Sequence, residues 1–183
     1  MGGGWTVIQR RYDGSEDFDR DNAAYVNGFG NLEQEHWLGL DVIKALGDLP
    51  SGMELLVQLK EHEKACHGYA HYNNFKLDLG PVCACTCPPK NYELMSSLTW
   101  IGGDIGDSLI PQALLEFTTQ DSDNDNWGGG NCALSITGGW WFDQCVMPAG
   151  GSNLNGPYQT QGCVLTLGDK GKGIIWQTGR GLF

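Results

Sequence analysis

One stretch of this chain reads Asp121-Ser122-Asp123-Asn124-Asp125-Asn126-Trp127, and it continues through Gly128-Gly129-Gly130-Asn131-Cys132. Its three carboxylates alternate along the backbone, so like charges lie close together, which costs free energy unless a cation separates them. Calcium suits such a stretch best, because it accepts oxygen ligands in irregular geometry, including backbone carbonyls. The competing interpretation is a solvated acidic turn, since Asp, Asn and Gly also favour turns. We favour the calcium loop.

An EF-hand does not account for this stretch. With Asp121 as the first loop position, Asn126 stands at the sixth, where that motif requires Gly. Cys132 stands at the twelfth, where the motif requires a bidentate Glu. Backbone carbonyls and water must therefore complete the coordination shell. Without that Glu we expect an extracellular-grade site, with a dissociation constant on the order of 0.1–1 mM.

The composition of the whole chain restricts its partners. The 183 residues include 28 Gly and only 18% charged residues, so much of the chain is expected to be turn and loop around one core. The net charge of −11 and the pI near 4.5 argue against nucleic acid and anionic membrane surfaces. No apolar run approaches the roughly 20 residues of a membrane span, and no secretory leader is visible at the start.

The cysteines indicate an oxidising, extracellular compartment, because the chain contains seven of them and is rich in Gly and acidic residues. The cluster Cys83-Ala84-Cys85-Thr86-Cys87 precedes two prolines and is expected on a loop. A soft metal held with Cys66 and His67 is one interpretation of this cluster. We favour disulfides, because C-x-C-x-C is not the spacing of zinc sites. The count is odd, so at least one thiol is free or pairs with another chain. The other cysteines are Cys132, Cys145 and Cys163.

Local patterns predict short elements in the first half of the chain. A strand over 5–11 precedes a helix with Asp19 as its N-cap and Gly28 just past its end. A second helix is predicted over 40–46. Strands are predicted over 53–60, near 69–78 and near 92–95. Beyond about residue 100, irregular loops are expected, since Gly, Asn, Asp and Trp dominate there.

Catalytic motifs are missing from the sequence. It contains no Gly-x-Ser-x-Gly elbow, no phosphate-binding Gly loop with Lys and no His-Glu-x-x-His. The four histidines show no metal-ligand spacing. We therefore predict that the chain is not an enzyme.

A series of segments occurs in one order along nearly the whole chain. It begins with Gly2-Gly3-Gly4-Trp5-Thr6-Val7-Ile8-Gln9-Arg10-Arg11 and continues with 18–21, 28–32, 37–40, 106–109, 117–119, 121–125, 131–133, 139–142, 152–156 and 173–176. This series resembles the C-terminal globular domain family of fibrinogen, ficolins, tachylectins, angiopoietins and tenascins.

The resemblance implies an α+β fold, in which a twisted antiparallel sheet is flanked by short helices and followed by a loop-rich C-terminal calcium-binding subdomain. It predicts a single domain over 1–183, with the sheet in approximately 1–100 and the loop-rich calcium and ligand subdomain in 101–183. The family's N-terminal segment is absent before Gly2, and its Lys-rich strand after Trp176 is replaced. Relatives multimerise through upstream stalks, so any oligomer is expected to form through a region upstream of this sequence.

The resemblance also assigns the calcium ligands. In the family's Asp-x-Asp-Asn-Asp pattern, the second and third Asp bind through their side chains, which here are Asp123 and Asp125. Two backbone carbonyls further on complete the protein shell, and they correspond to Trp127 and Gly129. Asp121 is expected just behind these ligands, where it supports them.

A ligand pocket beside a disulfide is a further implication of the resemblance. Cys132–Cys145 matches the family disulfide, and the Gln144–Cys145 peptide matches a bond that is often cis there. Three of the pocket positions differ from those of acetyl-binding relatives: Ile136 replaces Tyr, Val146 replaces His, and Lys170-Gly171 replaces Tyr-Ala. The predicted pocket residues are Ile136, Gln144, Cys145, Val146, Tyr158, Lys170 and Gly171.

The function implied by the resemblance is that of a secreted, calcium-dependent, lectin-like module of innate immunity. Its expected partners are acetylated glycans, such as N-acetylglucosamine, on microbial surfaces and bacterial cell walls. The alternative is a module that binds a receptor or matrix protein without affinity for sugar. The changed pocket positions motivate this alternative.

Overall fold

The computed structural model describes residues 4–60, 67–79, 91–145, 151–158, 173–178 and 181–182. Short strands and short helices alternate along the first half of this part. The elements are β1 (Gln9–Arg10), α1 (Asn22–Asn27), β2 (Phe29–Gly30), β3 (His36–Trp37), α2 (Leu40–Gly47), β4 (Leu55–Lys60), β5 (His67–Asn73), β6 (Leu77–Asp78), β7 (Glu93–Leu94), β8 (Thr99–Gly103), a 3₁₀ helix (Ile110–Gln112), α3 (Cys132–Ile136), β9 (Ser152–Asn153), β10 (Ile175–Thr178) and β11 (Gly181–Leu182).

Every strand pair in the described residues is antiparallel. The strand orders are β1-β3-β2, β4-β5-β8, β6-β7 and β11-β10-β9. The longest pairing joins β4 to β5 from Leu55–Tyr72 to Lys60–His67, and a register shift interrupts β5–β8 between His71 and Tyr72. Antiparallel sheets with short helices confirm the predicted α+β class.

The element boundaries correct several sequence-based expectations. Asp21 rather than Asp19 caps α1, because its side chain accepts the N–H of Ala24, whereas the N–H of Asp19 donates to Asp17. Gly28 ends the helix as predicted, with a positive φ of 89°. The strand expected over 5–11 is regular only at Gln9–Arg10.

Two further boundaries differ slightly from the expectation. The second helix extends one residue beyond the predicted range, to Gly47. The strand expected near 69–78 divides into β5 and β6, because Asn74 has a positive φ of 57° between them.

One aromatic cluster joins early and late parts of the chain. Tyr25 of α1 packs edge-on against Trp37 of β3, with 5.6 Å between the ring centroids. Its ring centroid lies 5.1 Å from that of Phe117. Phe117 in turn packs edge-on against Trp141 at 5.0 Å. Such ring pairs stabilise a core beyond the area that they bury. Burial of this cluster brings α1 beside the Asp-rich stretch that follows Phe117.

No helix in the described part of the chain has the length and apolar character needed to cross a bilayer.

Candidate functional site

The acidic stretch is a loop held at its start by backbone pairing. Thr118 and Trp140 exchange N–H···O=C bonds of 2.9 and 3.1 Å, and Thr119 pairs with Ser122 in a tight turn. The side chain of Asn124 donates to the carbonyl of Phe117 at 2.8 Å. These bonds fasten the loop directly to the aromatic core.

Asp125 occupies the centre of this loop. One oxygen of its carboxylate accepts the N–H of Trp127, and the other accepts the N–H of Cys132, both at 2.8 Å. Burial, and after it the neighbouring Asp123 carboxyl, raises the pKa of Asp125, against the effect of those two N–H groups. The loop therefore brings together two carboxylates that repel each other when both are ionised.

This donor set fits a hard cation. Each oxygen of the Asp125 carboxylate accepts one N–H and keeps a further lone pair that can bind a cation. Calcium prefers such oxygens together with backbone carbonyls. In the described residues, no three His, Cys, Asp or Glu side chains converge on one point. Asp123 and Asp125 would therefore need the carbonyls of Trp127 and Gly129, as the sequence predicts, to surround an ion.

The remaining predicted loop residues have defined positions. Asp121 accepts the hydroxyl of Thr119 and the N–H of Asn22, both at 2.8 Å, so one of its oxygens already has two donors. The indole of Trp127 folds back over the glycines, and a Cβ at Gly129 would lie 2.8 Å from its ring. The carbonyl of Trp127 accepts the N–H of Gly130 at 3.2 Å.

A short helix and a disulfide connect the loop to the next segment. Asn131 caps α3, because its side chain accepts the N–H of Leu134. Cys132, the first residue of α3, forms a disulfide with Cys145, with a Cα–Cα distance of 4.9 Å. Asn126 donates to Asp143 through both its backbone N–H and its side chain, each at 2.8 Å. The loop is thus fastened at two points to the segment that ends in Cys145.

Four of the predicted pocket residues lie in the described part of the chain: Ile136, Gln144, Cys145 and Tyr158. Ile136 ends α3 and is 4% exposed, whereas Cys145 is 8% exposed and Gln144 is open to solvent. The Gln144–Cys145 peptide is trans, in contrast to the expected cis bond. Val146 and Lys170-Gly171 lie outside the described residues, as do Cys66, Cys83, Cys85, Cys87 and Cys163.

Tyr158 contacts the N-terminal segment. Its hydroxyl donates to the carbonyl of Tyr12 at 2.6 Å, and its ring packs against Gly14. Tyr158 therefore lies beside Tyr12 and Gly14.

Sequence reasoning placed residues 152–156 in the family series but did not find that they support the backbone after Ile136. Thr137 and Gly138 directly after it have positive φ angles of 69° and 84°. Asn153 donates to the carbonyl of Thr137 at 3.3 Å, and Asn155 donates to that of Gly139 at 2.9 Å. A positive φ is rare for a β-branched residue, so these buried amides stabilise an unfavourable backbone. The signal in the sequence is the pair of Asn residues in 152–156, which are too polar for an ordinary core position.

The comparisons with known proteins agree on one family. The model of the family described as fibrinogen beta and gamma chains, C-terminal globular domain, matches residues 1–182. Human ficolin-3 is 39% identical over 181 residues, which are 99% of this chain and 54% of ficolin-3. The chain spans between 36% and 56% of the length of the curated relatives that it matches.

Two solved structures resemble this one closely. The fibrinogen-like globe domain of human ANGPTL2 has a TM-score of 0.78 and 36% identity, over 98% of this chain and 74% of that chain. Lamprey fibrin D-dimer, solved with the peptide ligand Gly-His-Arg-Pro-amide, has a TM-score of 0.73 and 32% identity, over 94% of this chain and 55% of that chain.

The family consists of non-enzymatic binding domains, and proteins that carry them are typically extracellular. The family match covers almost every residue, and the solved neighbours share both sequence and fold with this chain. This chain therefore belongs to the family of fibrinogen C-terminal globular domains, and it is a binding domain rather than an enzyme.

Proposed function

We propose that this chain is a secreted, calcium-binding recognition domain of lectin type that binds acetylated glycans. The observation that carries the proposal is the double role of Asp125. Its carboxylate lies beside that of Asp123, and it also holds the N–H of Cys132. Cys132 begins α3, which ends at Ile136, and it forms the disulfide with Cys145. Cys132 therefore connects the acidic loop to both of these residues of the proposed surface. An ion in the loop would therefore influence that surface.

The residues that would hold calcium are Asp123 and Asp125 through their side chains, with the carbonyls of Trp127 and Gly129. When bound, the ion would neutralise the repulsion between the two carboxylates and so order the loop. With a dissociation constant on the order of 0.1–1 mM, millimolar calcium would stabilise the folded state by about 1–2 kcal/mol.

The proposed glycan surface consists of Ile136, Gln144 and Cys145, together with Val146 and Lys170-Gly171 outside the described residues. Ile136 and Cys145 are buried apolar groups that would form the floor beneath the methyl of an acetyl group, and the exposed amide of Gln144 can both donate and accept hydrogen bonds. The similarity to human ficolin-3 supports this choice of ligand class. The proposed location outside the cell is supported by the disulfide, which persists in oxidising compartments.

Binding to immobilised N-acetylglucosamine tests the proposal. We expect retention in 2 mM calcium and release by EDTA, with glucose beads as the matched control because glucose lacks the acetyl group. A calcium concentration of about 2 mM is close to the extracellular level, at which such weak sites are occupied. Equal retention on both sugars, or retention that EDTA does not change, would contradict the proposal.

A peptide ligand is the second candidate. It is favoured by the lamprey fibrin neighbour, whose structure contains Gly-His-Arg-Pro-amide. The net charge of −11 would attract a cationic peptide of this kind. Calorimetry with this peptide, repeated in excess N-acetylglucosamine, separates the two candidates. Binding that the sugar leaves unchanged favours a peptide site, whereas competition indicates a shared surface.

A further inference from the structure

Gln112 is the centre of a buried network of hydrogen bonds. None of its four bonds is made to the acidic loop or to the disulfide. It ends the 3₁₀ helix and is 5% exposed. Its amide nitrogen donates to the carbonyls of Trp141 at 3.0 Å and Ser152 at 2.8 Å. Its oxygen accepts the indole N–H of Trp140 at 3.0 Å and the hydroxyl of Ser152 at 2.7 Å.

All the hydrogen-bonding capacity of this side chain is used. A primary amide has two donors and two acceptor sites, and each has a partner in this structure. Burying an amide among aromatic rings costs free energy that an apolar residue would not incur. A fully satisfied buried network instead enforces one arrangement of the groups that it joins.

The groups joined by Gln112 belong to two segments that connect to residues of the proposed glycan surface. Trp140 and Trp141 lie on the segment that leads to Cys145. Ser152 begins the segment that runs to Asn155, which supports the carbonyls of Thr137 and Gly139 after Ile136. In the sequence, these two segments stand on opposite sides of residues 146–150. Gln112 therefore joins these two segments, in addition to the bonds of Asn153 and Asn155.

We infer that Gln112 is a positioning residue for ligand recognition, which holds the Trp140–Trp141 segment and the Ser152–Asn155 segment in the register that the glycan surface requires. This inference rests on the proposed function, since the ligand surface is the proposed one. Gln112 does not contact the acidic loop through any of its four bonds. Its network reaches the loop only indirectly, through the backbone pairing of Trp140 with Thr118. Its loss should therefore weaken sugar binding more than calcium binding.

Two variants of graded severity test the inference. Gln112→Met keeps the length of the side chain and removes all four bonds, and Ser152→Ala removes the hydroxyl bond alone. Losing a buried hydrogen bond typically weakens a dependent equilibrium by about tenfold. We expect N-acetylglucosamine affinity, measured by calorimetry, to fall about tenfold or more for Gln112→Met and less for Ser152→Ala, with a smaller fall in calcium affinity than in sugar affinity for both.

Ile43→Val is the matched control, because Ile43 is fully buried in α2 and its loss of a methylene lowers stability without touching this network. Sugar affinity should be unchanged in this variant. If Gln112→Met and Ile43→Val bind the sugar equally well under conditions where both are folded, Gln112 is only a core residue and the inference is wrong.

Hydrogen exchange separates failure of the inference from failure of the proposed function. The amides of Trp140 and Gln177 donate to the carbonyls of Thr118 and Gly151, next to the two joined segments, and the amide of Ile43 lies in α2. We expect Gln112→Met to accelerate exchange at Trp140 and Gln177 but not at Ile43. If the parent binds no acetylated sugar, the proposed function fails and the role of Gln112 in recognition fails with it, while the exchange pattern still tests whether Gln112 holds the two segments. Uniform acceleration, or none, overturns it.

Discussion

The backbone N–H of Asn22 donates a 2.8 Å hydrogen bond to the carboxylate of Asp121, although the two residues are 99 positions apart. The hydroxyl of Thr119 donates to the same oxygen, also at 2.8 Å. The start of the acidic loop is therefore fastened to the first turn of α1. Asp121 is therefore already engaged as a hydrogen-bond acceptor, which fits its proposed role of supporting the calcium ligands rather than binding the ion itself.

We predict that Asp121→Ala lowers the free energy of unfolding by about 1 kcal/mol, because it removes an acceptor shared by two donors. Calcium affinity should also fall, since the loop loses its anchor on α1. Asp121→Asn keeps one oxygen and should retain most of both properties. Urea denaturation and a calcium titration measure the two quantities. Equal behaviour of the Ala and Asn variants would show that the acceptor is unimportant.

Asp123→Ala should abolish the stabilisation of the domain by calcium. The variant leaves Asp125 without its partner carboxylate, so melting temperatures with and without calcium should coincide, while the parent gains several degrees from about 1–2 kcal/mol of binding. Glu33→Ala is the matched control, because Glu33 is an exposed acid outside the loop. A calcium-induced gain in Asp123→Ala equal to that of the parent would place the ion elsewhere.

We predict that the free energy of unfolding decreases in acid because Glu35 becomes protonated. This carboxylate is 1% exposed and accepts N–H groups of Tyr12, Asp13 and Glu16, with Arg11 Nε at 3.7 Å. Burial is the largest single influence and raises its pKa, but the N–H donors and Arg11 together lower the pKa below its ordinary 4.5.

A lowered folded-state pKa gives a carboxylate a stabilising contribution that is present above its unfolded value and lost as the pH falls. We therefore expect the parent to lose stability as the pH falls below about 4.5. Glu35→Gln should be destabilised by about 3 kcal/mol at neutral pH and should lose less on acidification. Urea denaturation from pH 3 to 7, roughly the range in which carboxyls titrate, measures both effects. Parallel pH profiles for parent and variant would contradict this.

Gly138→Ala should be strongly destabilising. Gly138 has a φ of 84°, and a Cβ there would collide with the carbonyl of Asn155. Strain and steric overlap together should cost at least about 2 kcal/mol. Gly52→Ala is the matched control, since Gly52 has a φ of 69° but no atom near its Cβ position. It should cost about 1 kcal/mol. Thermal denaturation that shows equal losses would mean that Asn155 can move away.

Much of the fold could be predicted, because its markers are local. The ordered segments indicated the family and hence the α+β class, Gly28 located the end of α1, and the 40–46 pattern located the start of α2. The predicted N-cap of α1, Asp19, was wrong, because Asp19 and Asp21 both satisfy the preference for Asp at the position before a helix. Complete burial of Tyr25, whose hydroxyl donates to the carbonyl of Phe18, accompanies the later start of the helix.

The acidic loop illustrates what sequence determines about the site. Alternating carboxylates repel their neighbours wherever the chain goes, so the expectation of a cation depends only on residues adjacent in sequence. The contact of Tyr158 with Tyr12 lies beyond such local patterns. Nothing near Tyr158 in the chain indicates that its hydroxyl donates to Tyr12, 146 positions earlier.

The amino-acid sequence alone therefore determined the family, the α+β class and the acidic loop, all of which depend on short-range patterns. Tertiary structure decided which distant groups meet: Asn22 with Asp121, Glu35 with the N–H groups after Arg11, and Gln112 with the two segments that it joins. The physical reason is that a hydrogen bond depends on atomic positions to within a few tenths of an ångström. For residues a hundred positions apart, only packing of the whole core fixes positions that closely.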